Sequence, residues 1–257
     1  MLILLPPSEG KATGGTGGPL DLAALSFPAL TPVRRHLVGH LQELAVREPE
    51  ALRIALGLSL KQVHEVAADA VLSSAPTLPA LARYTGVVYD NLAYDTLDGV
   101  ARRRANVSLV VASALFGLLR PTDRVPAYRL SGATVLPGLG GLAPLWRGAL
   151  ESELAATRTL VVDLRSGAYA ALATAPGAVE VRVLRDTDGV RKVVSHDNKW
   201  TKGRLARALC EHGARTAAQV AEVGRTVSDA VEVSVGRNGP RVDLLLYGLA
   251  SARAAAS

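Results

Sequence analysis

Short apolar runs rich in Val, Ile and Leu predict strands buried on both faces. MLILL (1–5), VSLVVAS (107–113) and TLVVDL (159–164) are runs of this kind. VEVRVL (179–184) alternates instead, which places it nearer a sheet edge, and RKVVSH (191–196) and RVDLLLY (241–247) complete the predicted strands. Elsewhere apolar positions recur at helical spacing and predict helices over 31–46, 49–56, 59–72, 144–156, 167–174, 201–212 and 216–222. Several strands follow one another with no regular helix between them. The expected fold is therefore α+β: one domain over 1–257, with a mixed central β-sheet flanked by helices. The Gly-rich stretch GKATGGTGGPL (10–20) lies too near the N-terminus to separate two folding units, and the chain has no internal repeat.

Composition narrows this picture. At 257 residues and 49% hydrophobic, the chain can bury a large core. MLILL has no basic residue before it and is too short for a signal peptide, and no run approaches the length of a membrane span. A soluble, cytoplasmic protein with no membrane partner is expected. One cysteine, Cys210, excludes an internal disulfide framework and a zinc site of paired cysteines. The net charge of +6 and pI near 9.8 point toward a polyanion. Arginines outnumber lysines 24 to 5, so part of that basicity reflects arginine usage rather than binding. The distribution says more: residues 1–100 carry 7 basic against 10 acidic side chains and the remainder 22 against 13, so the basic surface belongs to the later part.

Five segments could carry chemistry. In LFGLLRPTDRVPAYRL (115–130), Arg120, Arg124 and Arg129 stand beside Tyr128 on a loop stiffened by Pro121 and Pro126. Guanidiniums held this way suit bidentate contact with phosphate or carboxylate; an Asp123 ion pair in an ordinary packed loop is the alternative. PPSEGKA (6–12) leaves the first strand and offers Ser8, Glu9 and Lys11 as hydroxyl, acid or base, and amine, unless it is only a polar turn before a flexible Gly stretch. In VVDLRSGAYAAL (161–172), Ser166 opens a helix whose amides attract anions, while Asp163 and Arg165 are placed for a local ion pair. SHDNKWTKGRLAR (195–207) surrounds Trp200 with Lys199, Lys202, Arg204 and Arg207, as suits a phosphate backbone with a stacked base, or else a solvated amphipathic helix. EALRIALGLSLKQVHEVA (50–67) has the outline of a helix-hairpin-helix around Gly57, Ser59 and Lys61, although a Gly-ended helix followed by a Ser cap reads the same way. His36 and His40 have helical metal-pair spacing without a third ligand, so no metal and no cofactor are expected.

Taken in order, the N-terminal segment, YTGVVYDNL (84–92), LFGLLRPTDRVPAYRL, PLWRGAL (144–150), VVDLRSGAY and KWTKGRLAR resemble the YaaA family of peroxide-stress proteins over nearly the whole chain. The most specific element is the string Gly117, Arg120, Pro121, Asp123, Pro126, Tyr128, Arg129 and Leu130. This resemblance implies an α+β fold of the family's own type, a positively charged cleft, a helix-hairpin-helix-like element, DNA binding and protection against iron-driven damage under peroxide. On that basis Arg120 and Arg129 would line the cleft with Tyr128, joined by Tyr84, Tyr89, Trp146, Ser166, Lys202 and Arg204. If the chain is instead an enzyme on a small nucleotide-like or phosphorylated substrate, Ser8, Glu9 and Lys11 are its candidate catalytic residues.

Overall fold

The structure, a computed structural model, describes residues 1–247. Its helices are α1 (Thr31–Arg47), α2 (Pro49–Ala55), α3 (Val63–Ala70), α4 (Ala80–Arg83), α5 (Val87–Leu92), α6 (Gly99–Ser108), α7 (Leu142–Ala155), α8 (Gly167–Ala170), α9 (Ser195–His212) and α10 (Ala217–Gly224). Its strands are β1 (Leu2–Leu5), β2 (Leu78–Pro79), β3 (Leu109–Ser113), β4 (Gly117–Leu119), β5 (Arg124–Val125), β6 (Val135–Leu136), β7 (Gly140–Gly141), β8 (Val161–Asp163), β9 (Val179–Thr187), β10 (Val190–Lys192), β11 (Ala230–Val235) and β12 (Pro240–Tyr247).

The central sheet is mixed, in the order β11-β12-β9-β8-β1-β3-β4, with β10 attached to β9. Its five middle strands, β12, β9, β8, β1 and β3, run parallel. Antiparallel β11 and β4 close the two edges. Strand side chains alternate between faces, and β1 shows what that does here. Leu2 and Leu4 pack with Leu37 and Leu41 of α1 and with Trp146 and Leu150 of α7. Ile3 and Leu5 pack with Ala101 and Ala105 of α6, Leu205 and Leu209 of α9 and Val220 of α10. Each buried leucine contributes about 1.5–3 kcal/mol, so a strand covered on both sides must be apolar throughout, as the sequence pattern requires.

Several expectations need correction. β9 is not near an edge but third across the sheet, paired with β8 and β12. Its polar positions are covered by cross-strand ion pairs, Arg182 with Asp243 and Glu180 with Arg241. The predicted strand at 191–196 stops at Lys192, and α9 begins at Ser195, six residues before the expected 201. That first turn contains Asn, Asp and Lys and shows no apolar period; it is held by the ion pair of Asp197 with Arg185. Helix α6 escaped detection because only Ala101, Ala105 and Ser108 of its ten residues are buried. Asp98 nevertheless caps it firmly, accepting from the amides of Val100 and Ala101.

Candidate functional site

Strands β1, β3 and β8 end side by side, Leu5 opposite Val111 and Leu4 opposite Asp163. In parallel sheets the segments leaving such ends gather ligand groups. A trough runs over this end of the sheet as three connected cavities of about 220, 520 and 460 Å³. Glu9 and Gly10 line both the first and second, and Ser166, Asn198 and Lys202 line both the second and third.

The segment after β1 is held, not loose. Fully buried Arg83 donates to the carbonyls of Gly14, Pro76 and Val125, and also to that of Ala12. Lys11 bridges Tyr84 in an antiparallel contact, and the Ser8 hydroxyl accepts from the Thr85 amide. At Gly15 a Cβ would overlap the backbone of Pro76 and Thr77, so only glycine lets the stretch lie this close.

This anchoring places the Lys11 amine 4.1 Å from the centre of the Tyr128 ring and 5.6 Å from that of Tyr84. Its Nζ donates to the carbonyls of Ser8 and Glu9 at 3.2 and 3.3 Å. Desolvation, then the nearby Arg129 guanidinium, lower its pKa to about 8. Arg129 pairs with the carboxylates of Glu9 at 3.0 Å and Glu65 at 3.5 Å. Its amide donates to Oδ1 of Asp69, on α3. Asp69 is fully buried and its Oδ2 has no hydrogen-bond partner. Burial accordingly raises its pKa to about 8, so the carboxyl is mostly protonated at neutral pH.

Beneath the amine lies an ordered phenol chain. Ser113, ending β3, shares a hydrogen bond of 2.7 Å with Tyr128, which shares one of 2.8 Å with Tyr84. Tyr89 donates to the Pro6 carbonyl. Burial pushes Tyr84, Tyr89 and Tyr128 up, keeping the phenols protonated.

At the other end of the trough, Gly203 lets α9 press against α5, since a Cβ there would overlap the Val88 carbonyl. Tyr89 and Lys202 thereby line one cavity. Lys202 is 6% exposed and donates only to the Arg165 carbonyl, at 3.2 Å. Desolvation lowers its pKa to about 8. Arg165 itself is committed to a bidentate pair with Asp163, and Ser166 begins α8 without capping it.

The structure thus gathers Ser8, Glu9, Lys11, Tyr84, Tyr89, Tyr128, Arg129, Ser166 and Lys202 around one trough. It does not bring Arg120, Trp146 or Arg204 there. β4 runs antiparallel to β3, so Leu119 lies opposite Val111 and the chain has turned away by Arg120. Arg120 donates to the Val107 carbonyl, ahead of β3, and stacks on Phe27. Trp146 is wholly buried and donates to the Ala114 carbonyl, as a core residue does. Arg204 stacks 4.5 Å from Trp200 and lines a separate cavity with Arg185 and His196, because residues two apart on a helix point away from each other. Gly57 has a φ of +66°, and Ser59 and Gln62 form a capping box in which the Ser59 amide donates to Gln62. Lys61 is exposed beside this turn. Sequence reasoning missed Asp69, Glu65, Asn198 and Tyr169, the last of which lines the middle cavity. Nothing in the local sequence of α3 marked Asp69, whose burial follows from tertiary packing.

Among the described residues no helix is long and apolar enough to cross a membrane, and no group of three or more His, Cys, Asp or Glu side chains is placed to hold a metal. A family model described as peroxide stress protein YaaA matches residues 1–227. A UPF0246 protein of Corynebacterium efficiens is 49% identical, over 92% of this chain and 97% of its own. A UPF0246 protein of Streptomyces coelicolor is 45% identical, over 96% and 99%, and one of Paracidovorax citrulli is 32% identical, over 82% and 86%. The chain therefore belongs to the YaaA (UPF0246) family of peroxide-stress proteins.

Proposed function

We propose that this protein acts in the cytoplasm during peroxide stress by binding DNA, with backbone phosphate seated in the trough at the carboxyl end of the sheet. The observation that supports this reading is Lys202. An ammonium has three donors, and this one uses one of them, is desolvated, and opens into a cavity shared with Lys199 and Ser166. A phosphate there would supply acceptors for the ammonium's two unused donors, and countercharge beyond that of Asp163 and Glu180, which are already paired with Arg165 and Arg241. The arginines contribute less than their number suggests, because Arg129 and Arg165 are already paired with carboxylates. The α2–α3 turn, with Gly57, Ser59 and Lys61, would be a second, peripheral contact.

The test is duplex binding at two salt concentrations. Wild type should lose affinity linearly in log–log form, and Lys199→Ala/Lys202→Ala should weaken binding and reduce the slope by about 0.9 for each phosphate no longer neutralised. Arg120→Ala, outside the trough, should bind like wild type. Undetectable or salt-insensitive binding would refute the proposal.

A second reading is an enzyme acting on a small phosphorylated or nucleotide-like substrate in the same trough. It is favoured by the cavity beside Lys11, whose 220 Å³ is too narrow for a duplex yet contains Glu65, Arg129 and an amine of lowered pKa. Nucleotides or sugar phosphates should raise the melting temperature of wild type and not of Arg129→Ala. A flat response across such a panel counts against it.

A further inference from the structure

Lys11 and Asp69 are placed unlike residues that merely bind an anion. A lysine kept for charge pairing is best left fully protonated, whereas Lys11 is desolvated and has Arg129 beside it. A neutral amine has two N–H groups and one lone pair. Two carbonyl acceptors, those of Ser8 and Glu9, match the two N–H groups, and the third position of the amine, a proton in the ammonium and the lone pair in the neutral form, has no hydrogen-bond acceptor. Asp69 complements this arrangement, being a buried carboxyl with one oxygen unpartnered and electrostatically coupled to Lys11. The adjoining cavity is lined by the Tyr128 ring and by the polar Thr13, His64 and Glu65, surroundings that suit a hydroxylated, sugar-sized group. Imine formation requires a neutral amine and a proton donor, and with its pKa lowered to about 8 Lys11 supplies the neutral form as a minority at pH 7 that grows toward pH 8.

We infer that Lys11 captures the aldehyde carbon of an open-chain hydroxyaldehyde as an iminium, with Asp69 as the proton donor. The Nζ lone pair forms the C–N bond while the carbonyl π pair moves to oxygen. That oxygen takes one proton from the amine and one from Asp69 and leaves as water. The products are a protonated imine on Lys11, a carboxylate on Asp69, and one water. The inference rests on the second reading above and does not require duplex affinity. The same aldehyde chemistry occurs in a free sugar phosphate and in the opened sugar of an abasic site in DNA.

The experiment incubates wild type with 2-deoxyribose 5-phosphate, or with a duplex carrying one abasic site, and reduces with borohydride, which delivers hydride to the iminium carbon. Intact mass and peptide mapping then locate the secondary amine among the five lysines. Lys11 should be labelled at least tenfold more than Lys61, Lys192, Lys199 or Lys202. Mapping on the wild type makes the result independent of whether any variant folds. Lys11→Arg should abolish labelling, and Lys192→Arg, on exposed β10, should not change it. Asp69→Asn should slow labelling about tenfold at neutral pH. The wild-type rate should rise toward pH 8 as the amine loses its proton and fall above it as Asp69 does, with Glu9, Glu65, Arg129, His64, Tyr84 and Tyr128 the other charged or titratable groups facing the amine. Labelling by the free sugar alone, or by the abasic duplex alone, supports the inference and identifies the source. No adduct with either, or adducts spread evenly over the lysines, overturns it. A panel response without an adduct would leave the substrate-binding reading intact and remove only the covalent step.

Discussion

Two buried aspartates, Asp69 and Asp123, show what separates a structural carboxyl from a reactive one. Asp123 accepts from the Ser26 amide and hydroxyl on one oxygen and from the Arg120 amide on the other, at 2.8–3.0 Å. Asp69 accepts one amide, from Arg129, and nothing on Oδ2. The first therefore fastens the loop after β4 to the segment ahead of α1, where ionised oxygens are matched by donors. The second is held in a state that costs free energy to ionise, electrostatically coupled to an amine that costs free energy to protonate. Both are buried, and the supply of donors decides which residue holds the fold and which is left with chemistry to do.

Replacing each by asparagine breaks this contrast most directly. Asp123→Asn presents an NH₂ to either the Ser26 or the Arg120 donors and also removes the negative charge that supports buried Arg34. It should lower stability by about 3 kcal/mol at pH 7, read as a fall in the urea midpoint at unchanged m-value. An unchanged midpoint would mean that the three hydrogen bonds are not formed.

Asp69→Asn should have the opposite sign and a smaller size. With its pKa raised to about 8, native Asp69 holds a proton that the unfolded chain has already lost, so wild-type stability declines as pH rises from about 4 to about 8. Asparagine cannot ionise, and the decline it causes should vanish. The variant should match wild type near pH 4 and exceed it above pH 8 by on the order of 2 kcal/mol, less than titration alone would give because the attraction to Lys11 is lost as well. A variant less stable than wild type at pH 9 would show that Asp69 is a well-solvated carboxylate after all. Lys11 and Lys202 carry the opposite dependence. Their pKa values are lowered to about 8, so the stability they cost is recovered as pH climbs from 8 toward the ordinary lysine value.

The same two regions mark the limit of what the sequence reveals. The parallel strands at 2–5, 109–113 and 161–163 were legible because burial on both faces leaves an uninterrupted apolar run. Lys11 and Arg129 were legible as candidates because charged residues beside rigid prolines and strand ends are conspicuous. Their partner Asp69 was not. It sits in VHEVAADA among residues any amphipathic helix would show, and only tertiary packing lays α3 against Arg129, sixty positions away. Arg120 and Arg129 belong to one conspicuous string, yet the β3–β4 hairpin carries Arg120 back to Val107, ahead of β3. The chain returns to the end of β3 only at Tyr128, so the two arginines serve different parts of the fold. Local spacing carries no record of that reversal.

Cys210 offers the smallest effect and the sharpest form of the contrast, since it is titratable, buried and idle. In a peroxide-stress protein the one thiol invites the role of sensor. Burial in α9 pushes its pKa up to about 12, with the core of α6 and α10 around it. Peroxide attacks the thiolate, and at neutral pH this thiol supplies almost none. Millimolar peroxide should therefore leave the intact mass unchanged at Cys210, and a sulfenic-acid trap should find nothing there in the folded protein. Cys210→Ala should cost about 1 kcal/mol as a small cavity and leave binding in the trough as it was. A trapped sulfenic acid at Cys210 would mean that α9 opens readily. Because α9 also carries Lys202, peroxide would then reach the trough through the very helix that builds it.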